Sequence, residues 1–417
     1  MKLLLKNATL LDEKSPFHNQ KKDVFIQEGV LTAIEDSIPV AADTVVEIKD
    51  LHLSPGWFDP CVSFGEPGYE ERETLDNGLQ TAAKSGFTHI VLNPNTHPVL
   101  DTYSDINHLR NATQHHTTFL HISASLSERG EGKQMASLAD LNKAGACAFG
   151  DFNIAIDNPN LLRIALDYVQ NFNGLIQAYP VDTTLYSKGQ MHEGLVSTTL
   201  GLKGIPAIAE TALLARDLQL LEYTQGKMHI PFISCAESVQ LVRDAKKRGL
   251  NVSAAVGLAH LLFNDEQLTD FDARFKIRPP LRSSADQRAL REGLLDGTID
   301  MVTTLHQPLN PEIKNLEFVS AAEGSIGLEA AFGALLTIFP LEKVVSFLSR
   351  GKNRFGIQSK GIAIGQEADL SLFTPKGNWT LQVENLYSAS TNCLFVGHQQ
   401  KGKVLGCVRK NHLQLNQ

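Results

Sequence analysis

Fourteen histidines, five cysteines and 46 acidic residues give this chain ample material for a metal enzyme or for acid–base work. Their local spacing forms no self-contained motif. The cysteines at 61, 147, 235, 393 and 407 are odd in number and make no CxxC pair, which argues against a disulfide or zinc-finger framework. Ser63 and Ser234 would act as nucleophiles only with a base and an orienting group, and neither sits in a GxSxG turn. His115-His116 is too isolated for a metal site. No GxxxxGK[ST] loop is present, nor a GxGxxG after a strand. Lys246-Lys247-Arg248 closes a helical pattern, where cations suit the helix dipole.

Composition narrows the classes further. Lys plus Arg number 38 against 46 Asp plus Glu, so the formal net charge is −8. That balance argues against a general affinity for nucleic acid or an anionic membrane surface. The opening MKLLLKNATLLDEKSP breaks its apolar run at Lys6 and Asn7, too early for a secretory segment. No stretch approaches the ~18 apolar residues of a membrane helix. The expectation is a reduced, cytoplasmic protein.

Any site must be positioned by the surrounding elements. KLLLKNATLL, KKDVFIQEGVLTAIED and ADTVVEIKDLHLS near the start, and KGIAIGQEADLSLFTP with LFVGHQQKGKVLGCVRKN near the end, combine apolar residues with turn residues and predict strands. Between them short apolar runs alternate with helical patterns: HIVLNP, FLHISAS, GACAFG, GLIQAYP, MHIPFISC, NVSAAVG and DMVTTL. Seven or eight such units over ~300 residues predict a TIM-like (β/α)8 barrel rather than an open doubly wound sheet. The expected layout is a barrel over 53–356 and a small composite β-sandwich from 1–52 plus 357–417. Chemistry in such barrels sits at the C-terminal strand ends.

The run LSPGWFDPCVSFGEPGYEERETLDNGLQTAAKSGFTHIVLNPNTHPVLD resembles the opening of dihydroorotases, cyclic amidohydrolases of pyrimidine biosynthesis, whose pattern is PGxxDxHxHxREPG followed by a helix and MPNT. The resemblance continues through FISCAESVQLVRDAKKRG, NVSAAVGLAHLL, KIRPPLRSSADQRALREGLLDGTIDMVTTLHQP, EGSIGLEAAF and GIAIGQEADLSLF, in order along nearly the whole chain. It implies one or two zinc ions at the barrel mouth, held by His and carboxylates, which polarise a ring amide and activate a water.

Position by position, the implied ligands are replaced. The His-x-His of the first strand is Cys61-Val62-Ser63, and the substrate-gripping Arg is Gly65. The later His positions hold Gln177 or Ala178, and Phe232. The Asn before Pro-Pro-Leu-Arg is Arg278, the catalytic Asp is Leu305, and the last His of that motif is Leu309. Only Asn95 and Asp151 match functional positions. Cys61 reads as a small buried hydrophobe before it reads as a thiolate. His260 and His306 lie beside active-site positions; a relocated metal site with Asp151 or Cys61 would need three or four converging ligands. Arg278 would place a cation where a dication belongs, and like charges ~4 Å apart cost several kcal/mol at an effective dielectric of about 20. Phe232 and Leu305 would fill the same space with apolar bulk.

The expectation drawn from these replacements is a catalytically inactive dihydroorotase-like protein with no cofactor. It would assist assembly as a homodimer or in a hetero-complex with a pyrimidine-pathway enzyme such as aspartate transcarbamoylase, without nucleic acid or membrane. Two alternatives stand beside it. One is an active zinc-dependent dihydroorotase or related cyclic amidohydrolase; the other is a metal-free protein that binds a small carboxylate through Asn95 and Arg278.

Overall fold

The computed structural model describes residues 1–416. Eight parallel strands follow the chain in order around a barrel: Trp57–Val62, Phe87–Leu92, Phe119–Ala124, Ala148–Phe149, Ile176–Gln177, Met228–Ile233, Val252–Gly257 and Met301–Thr303. Strands such as Met228–Ile233 are buried along their whole length, as an unbroken apolar run between two covering layers requires. The first and last strands are tied where the Ser63 NH donates to the His306 carbonyl at 2.8 Å.

Amphipathic helices cover the strands. Ala236–Lys247 turns Val239, Val242 and Ala245 inward and leaves its two terminal lysines at the C-terminal end. Ser284–Leu295 begins with a capping box in which Ser283 and Asp286 satisfy each other's backbone NH groups. Between Ile176–Gln177 and Met228–Ile233 the chain inserts a short helix, Thr183–Tyr186, and a two-stranded parallel pair, Met191–His192 with Gly204–Ile205. Tyr186 and Ile205 of this insertion share one buried apolar cluster with Cys61 and Phe232 at the barrel mouth.

Both chain ends share a second, mixed sheet. Its order is His412–Leu415, Gln399–Arg409, Asp369–Thr380, His52–Pro55, Lys2–Leu10, Lys21–Gln27, Val30–Glu35, with Thr44–Val46 added on Lys2–Leu10. Leu3, Leu5, Val24, Ile26, Leu53, Leu370 and Leu372 form its core. Trp57 welds this sheet to the barrel: its ring stacks on Phe332 at 5.1 Å and lies 5.6 Å from Phe373. Among the described residues no helix is long and apolar enough to cross a membrane.

Candidate active site at the barrel mouth

The first strand presents Asp59, Cys61 and Ser63 toward the mouth, and each is already engaged. Asp59 is fully buried and accepts from Cys61 NH at 3.1 Å, Thr303 Oγ1 at 2.7 Å, Thr304 NH at 2.9 Å and Thr304 Oγ1 at 2.5 Å. Burial nonetheless outweighs these donors and raises its pKa above the usual carboxylate value. The Cys61 thiol donates to Asn93 Oδ1 at 3.3 Å, the Asn93 amide donates to Ser63 Oγ at 3.0 Å, and Ser63 Oγ donates to Asn95 Oδ1 at 3.0 Å. Burial, with the Asp59 charge beside it, pushes the Cys61 thiol far above its ordinary pKa. A thiol so disposed is neither a thiolate ligand nor a nucleophile.

Three of the replaced positions meet in one apolar plug. Cys61 and Phe232 pack with Tyr179, Val181, Tyr186, Ile205 and Ala209, and Leu305 and Phe152 lie against them. Tyr179 and Phe232 meet edge-on with ring centres 5.0 Å apart, and Phe152 approaches Phe232 at 6.2 Å. Ala178 is buried in the main barrel core. The cavity left between Phe152, Arg278, Leu305 and Gln307 measures ≈ 20 Å³. That is room for about one water and no ring.

The charged residues take separate partners. Asp151 accepts from Ser125 Oγ at 2.5 Å, Leu126 NH at 2.9 Å and Ser127 NH at 3.1 Å, and from Ser127 Oγ. Its oxygens are spent on loop backbone and hydroxyls. His260 Nε2 bonds the Pro279 carbonyl at 3.1 Å, while His306 Nε2 pairs with Glu73 at 2.8 Å. The two histidines, Asp151 and Cys61 therefore do not converge. Gln177 accepts from Ser123 Oγ at 2.5 Å; it lines a cavity of ≈ 10 Å³ together with Asp151 but shares no hydrogen bond with it.

Arg278 sits at the mouth in an ion pair with Glu323, Nε to Oε2 at 2.7 Å, and its guanidinium lies 4.3 Å over the Tyr186 ring. Tyr186 donates to the other Glu323 oxygen at 2.6 Å. Burial works against the Arg278 charge, but Glu323 and the neighbouring phenols hold its pKa above the ordinary value. Asn95 bonds to Ser63, not to Arg278. Sequence reasoning missed Glu323, which lies in an irregular loop, and Tyr186, whose four-residue helix is too short to show a period. It also missed buried Glu210, which accepts from Ser234 NH at 2.9 Å and Ser238 Oγ at 2.5 Å. Ser234 Oγ in turn donates to Glu210 and accepts from Arg282 Nε at 3.1 Å, so it is a network member rather than a nucleophile.

The donor chemistry at the positions the resemblance points to does not fit zinc. A thiol held protonated, a hydroxyl, a methyl, a phenyl and an isobutyl group stand there, with one carboxylate whose lone pairs are occupied. Among the described residues no group of three or more His, Cys, Asp and Glu is arranged to hold a metal ion.

Comparison with known proteins sets this geometry in context. Residues 52–238 match the Dihydro-orotase-like family. The chain is 37% identical over 414 residues to the dihydroorotase of Syntrophus aciditrophicus, covering 97% of each chain. It is 36% identical over 406 residues to that of Bacillus subtilis, covering 95% of this chain and 94% of that one. The L-hydantoinase of Arthrobacter aurescens superimposes with a TM-score of 0.86 over 99% of this chain and 95% of that chain, at 19% identity, which speaks for the barrel fold alone.

Two expectations are corrected by these relatives. The reading of a catalytically inactive protein is overturned, because proteins similar over almost their entire length carry the name of an enzyme. The expectation of no cofactor falls with it, since membership in an amidohydrolase family makes a metal the expectation even though the residues at the matching positions do not supply its ligands. The physical reason is common to both: a missing donor removes one known ligand arrangement, which does not by itself remove an activity. Full-length similarity, strand order and mouth position agree, and the chain belongs to the dihydroorotase family.

Proposed function

We propose that this chain is a cyclic amidohydrolase of the dihydroorotase type, opening the ring amide of dihydroorotate to N-carbamoyl-aspartate or closing it in reverse. The observation that supports this most is the 31–37% identity to curated dihydroorotases across nearly the whole chain. In the forward direction water adds to the ring carbonyl, the C–N bond breaks, and the ring nitrogen leaves as an amide after taking a proton. The zinc ligand set does not fit the side chains present.

What these side chains can do is bind and exclude water. Arg278 offers a planar cation to a ligand carboxylate, with the geometry for two parallel hydrogen bonds. The aromatic group of Phe152, Tyr179 and Phe232 would pack on one face of a flat ring while keeping bulk water out. The purified protein should open dihydroorotate when assayed with zinc, cobalt, manganese or no added metal. Absence of ring opening and ring closure under all four conditions would overturn the proposal.

A further inference from the structure

Glu323, Tyr186 and Arg278 come from three different loops. Tyr186 ends the short helix Thr183–Tyr186 of the insertion, Arg278 follows the strand Val252–Gly257, and Glu323 follows the last strand, Met301–Thr303. Their contacts stitch these loops together across the mouth: 2.7 Å from Arg278 to Glu323, 2.6 Å from Tyr186 to Glu323, and 4.3 Å from the guanidinium to the phenol ring. The cavity beside them, ≈ 20 Å³, cannot admit a ring of dihydroorotate size. Arg278 lines that cavity, so a ligand carboxylate that reaches its guanidinium must displace Glu323.

We propose that Glu323 is an internal carboxylate that occupies Arg278 until a ligand carboxylate displaces it, making the pair a latch that selects ring ligands bearing a carboxylate. This rests on the function proposed above and adds its specificity element. The exchange is balanced in charge. One carboxylate leaves the guanidinium and another arrives, so no buried cation is left without a partner. A ring without a carboxylate offers no such exchange and leaves the Arg278–Glu323 pair in place. The side chains of Arg278 and Glu323 are 28% and 21% exposed, so Glu323 has solvent to swing into. Ion pairs at that exposure are weak enough to be exchanged.

Calorimetric titration with N-carbamoyl-aspartate and, separately, with dihydrouracil tests the latch. An internal competitor lowers apparent affinity by the fraction of time it holds the site, so Glu323→Gln should bind N-carbamoyl-aspartate about 10-fold tighter than wild type. Tyr186→Phe, which frees one Glu323 oxygen and keeps the ring under Arg278, should tighten it by about 3-fold. Arg278→Gln should weaken it by at least about 10-fold, and dihydrouracil binding should be indifferent to Glu323→Gln. Thermal melts of each variant verify that it is folded, and Tyr186→Phe carries the test if Glu323→Gln is not. Unchanged or weaker binding of N-carbamoyl-aspartate by both latch variants, with wild type still binding and turning over dihydroorotate, overturns the latch and leaves the proposed function standing. No binding and no turnover by any of the four proteins overturns both.

Discussion

Asp59 on the first barrel strand and Thr304 just past the last are joined twice: the Thr304 NH and Oγ1 both donate to Asp59 Oδ2, at 2.9 and 2.5 Å. Thr303 Oγ1 adds a third bond at 2.7 Å. The seam of the barrel is thus closed by a side chain as well as by backbone. Asp59→Ala would leave these buried donors without an acceptor, and the loss should reach about 3 kcal/mol or more. Asp59→Asn keeps the shape and one acceptor and should cost less. Urea denaturation of the two variants measures both, and an Ala variant as stable as wild type would refute the seam.

His306 and Glu73 form a fully buried ion pair at 2.8 Å. Burial pulls the His306 pKa down, but the Glu73 charge and hydrogen bond outweigh it and leave it above 6.5. A base whose folded pKa is raised contributes its full stability below the unfolded value and loses it as the pH climbs through the folded one. Wild-type stability should therefore fall relative to the double variant Glu73→Gln/His306→Gln as pH rises above about 6.5, by no more than about 1.4 kcal/mol per pH unit. Denaturation midpoints of the two proteins across neutral to alkaline pH give the difference directly. The single variant His306→Gln should lose about 3–5 kcal/mol, because buried Glu73 then keeps only the Ala389 NH as a partner.

Lys314 behaves in the opposite sense. The residue is 2% exposed, and its ammonium donates to the Lys276 and Ala322 carbonyls at 2.9 and 3.0 Å. Burial, with the Lys276 charge nearby, pulls its pKa down to about 7 from 10.5. Between those values the unfolded chain binds one more proton than the folded chain, so this group makes stability rise with pH. Wild type should therefore gain stability relative to Lys314→Met between pH 7 and 10.5. A difference that stays flat across that window would show the lysine to be solvated.

Four of the five cysteines are buried and Cys147 is half-buried. Burial is the largest influence on every one of these thiols and raises each pKa, that of Cys147 to about 12. Native protein should react with an aromatic disulfide reagent at mildly alkaline pH at a small fraction of the rate seen in denaturant, where all five titrate. Rapid labelling of Cys61 in the native state would contradict its place in the apolar plug.

The barrel was legible because its signal is repeated. MHIPFI and NVSAAV are apolar on both faces, and the amphipathic stretch ending in Lys246-Lys247 has helical spacing, so each unit announces itself locally. The end sheet was legible for the same reason, although its pairing of Lys2–Leu10 with His52–Pro55 and then Asp369–Thr380 spans the whole chain. The mouth was legible only as a set of replaced positions. Phe232 and Leu305 can be read as bulk where a ligand would stand, but their packing with Tyr179 and Tyr186 depends on an insertion whose path has no periodicity.

By itself the sequence determined the strand-and-helix alternation, the order of the strands and the residue type at each strand end, because these depend on neighbours a few positions away. Tertiary structure alone decided what each of those residues does. Asp151 is committed to Ser125, Leu126 and Ser127, His306 to Glu73, and Arg278 to Glu323, which lies 45 residues further along the chain. Charge pairing and apolar packing act over a few ångströms in space, and only the closed barrel, which brings its eight strand ends together, makes such distant residues neighbours.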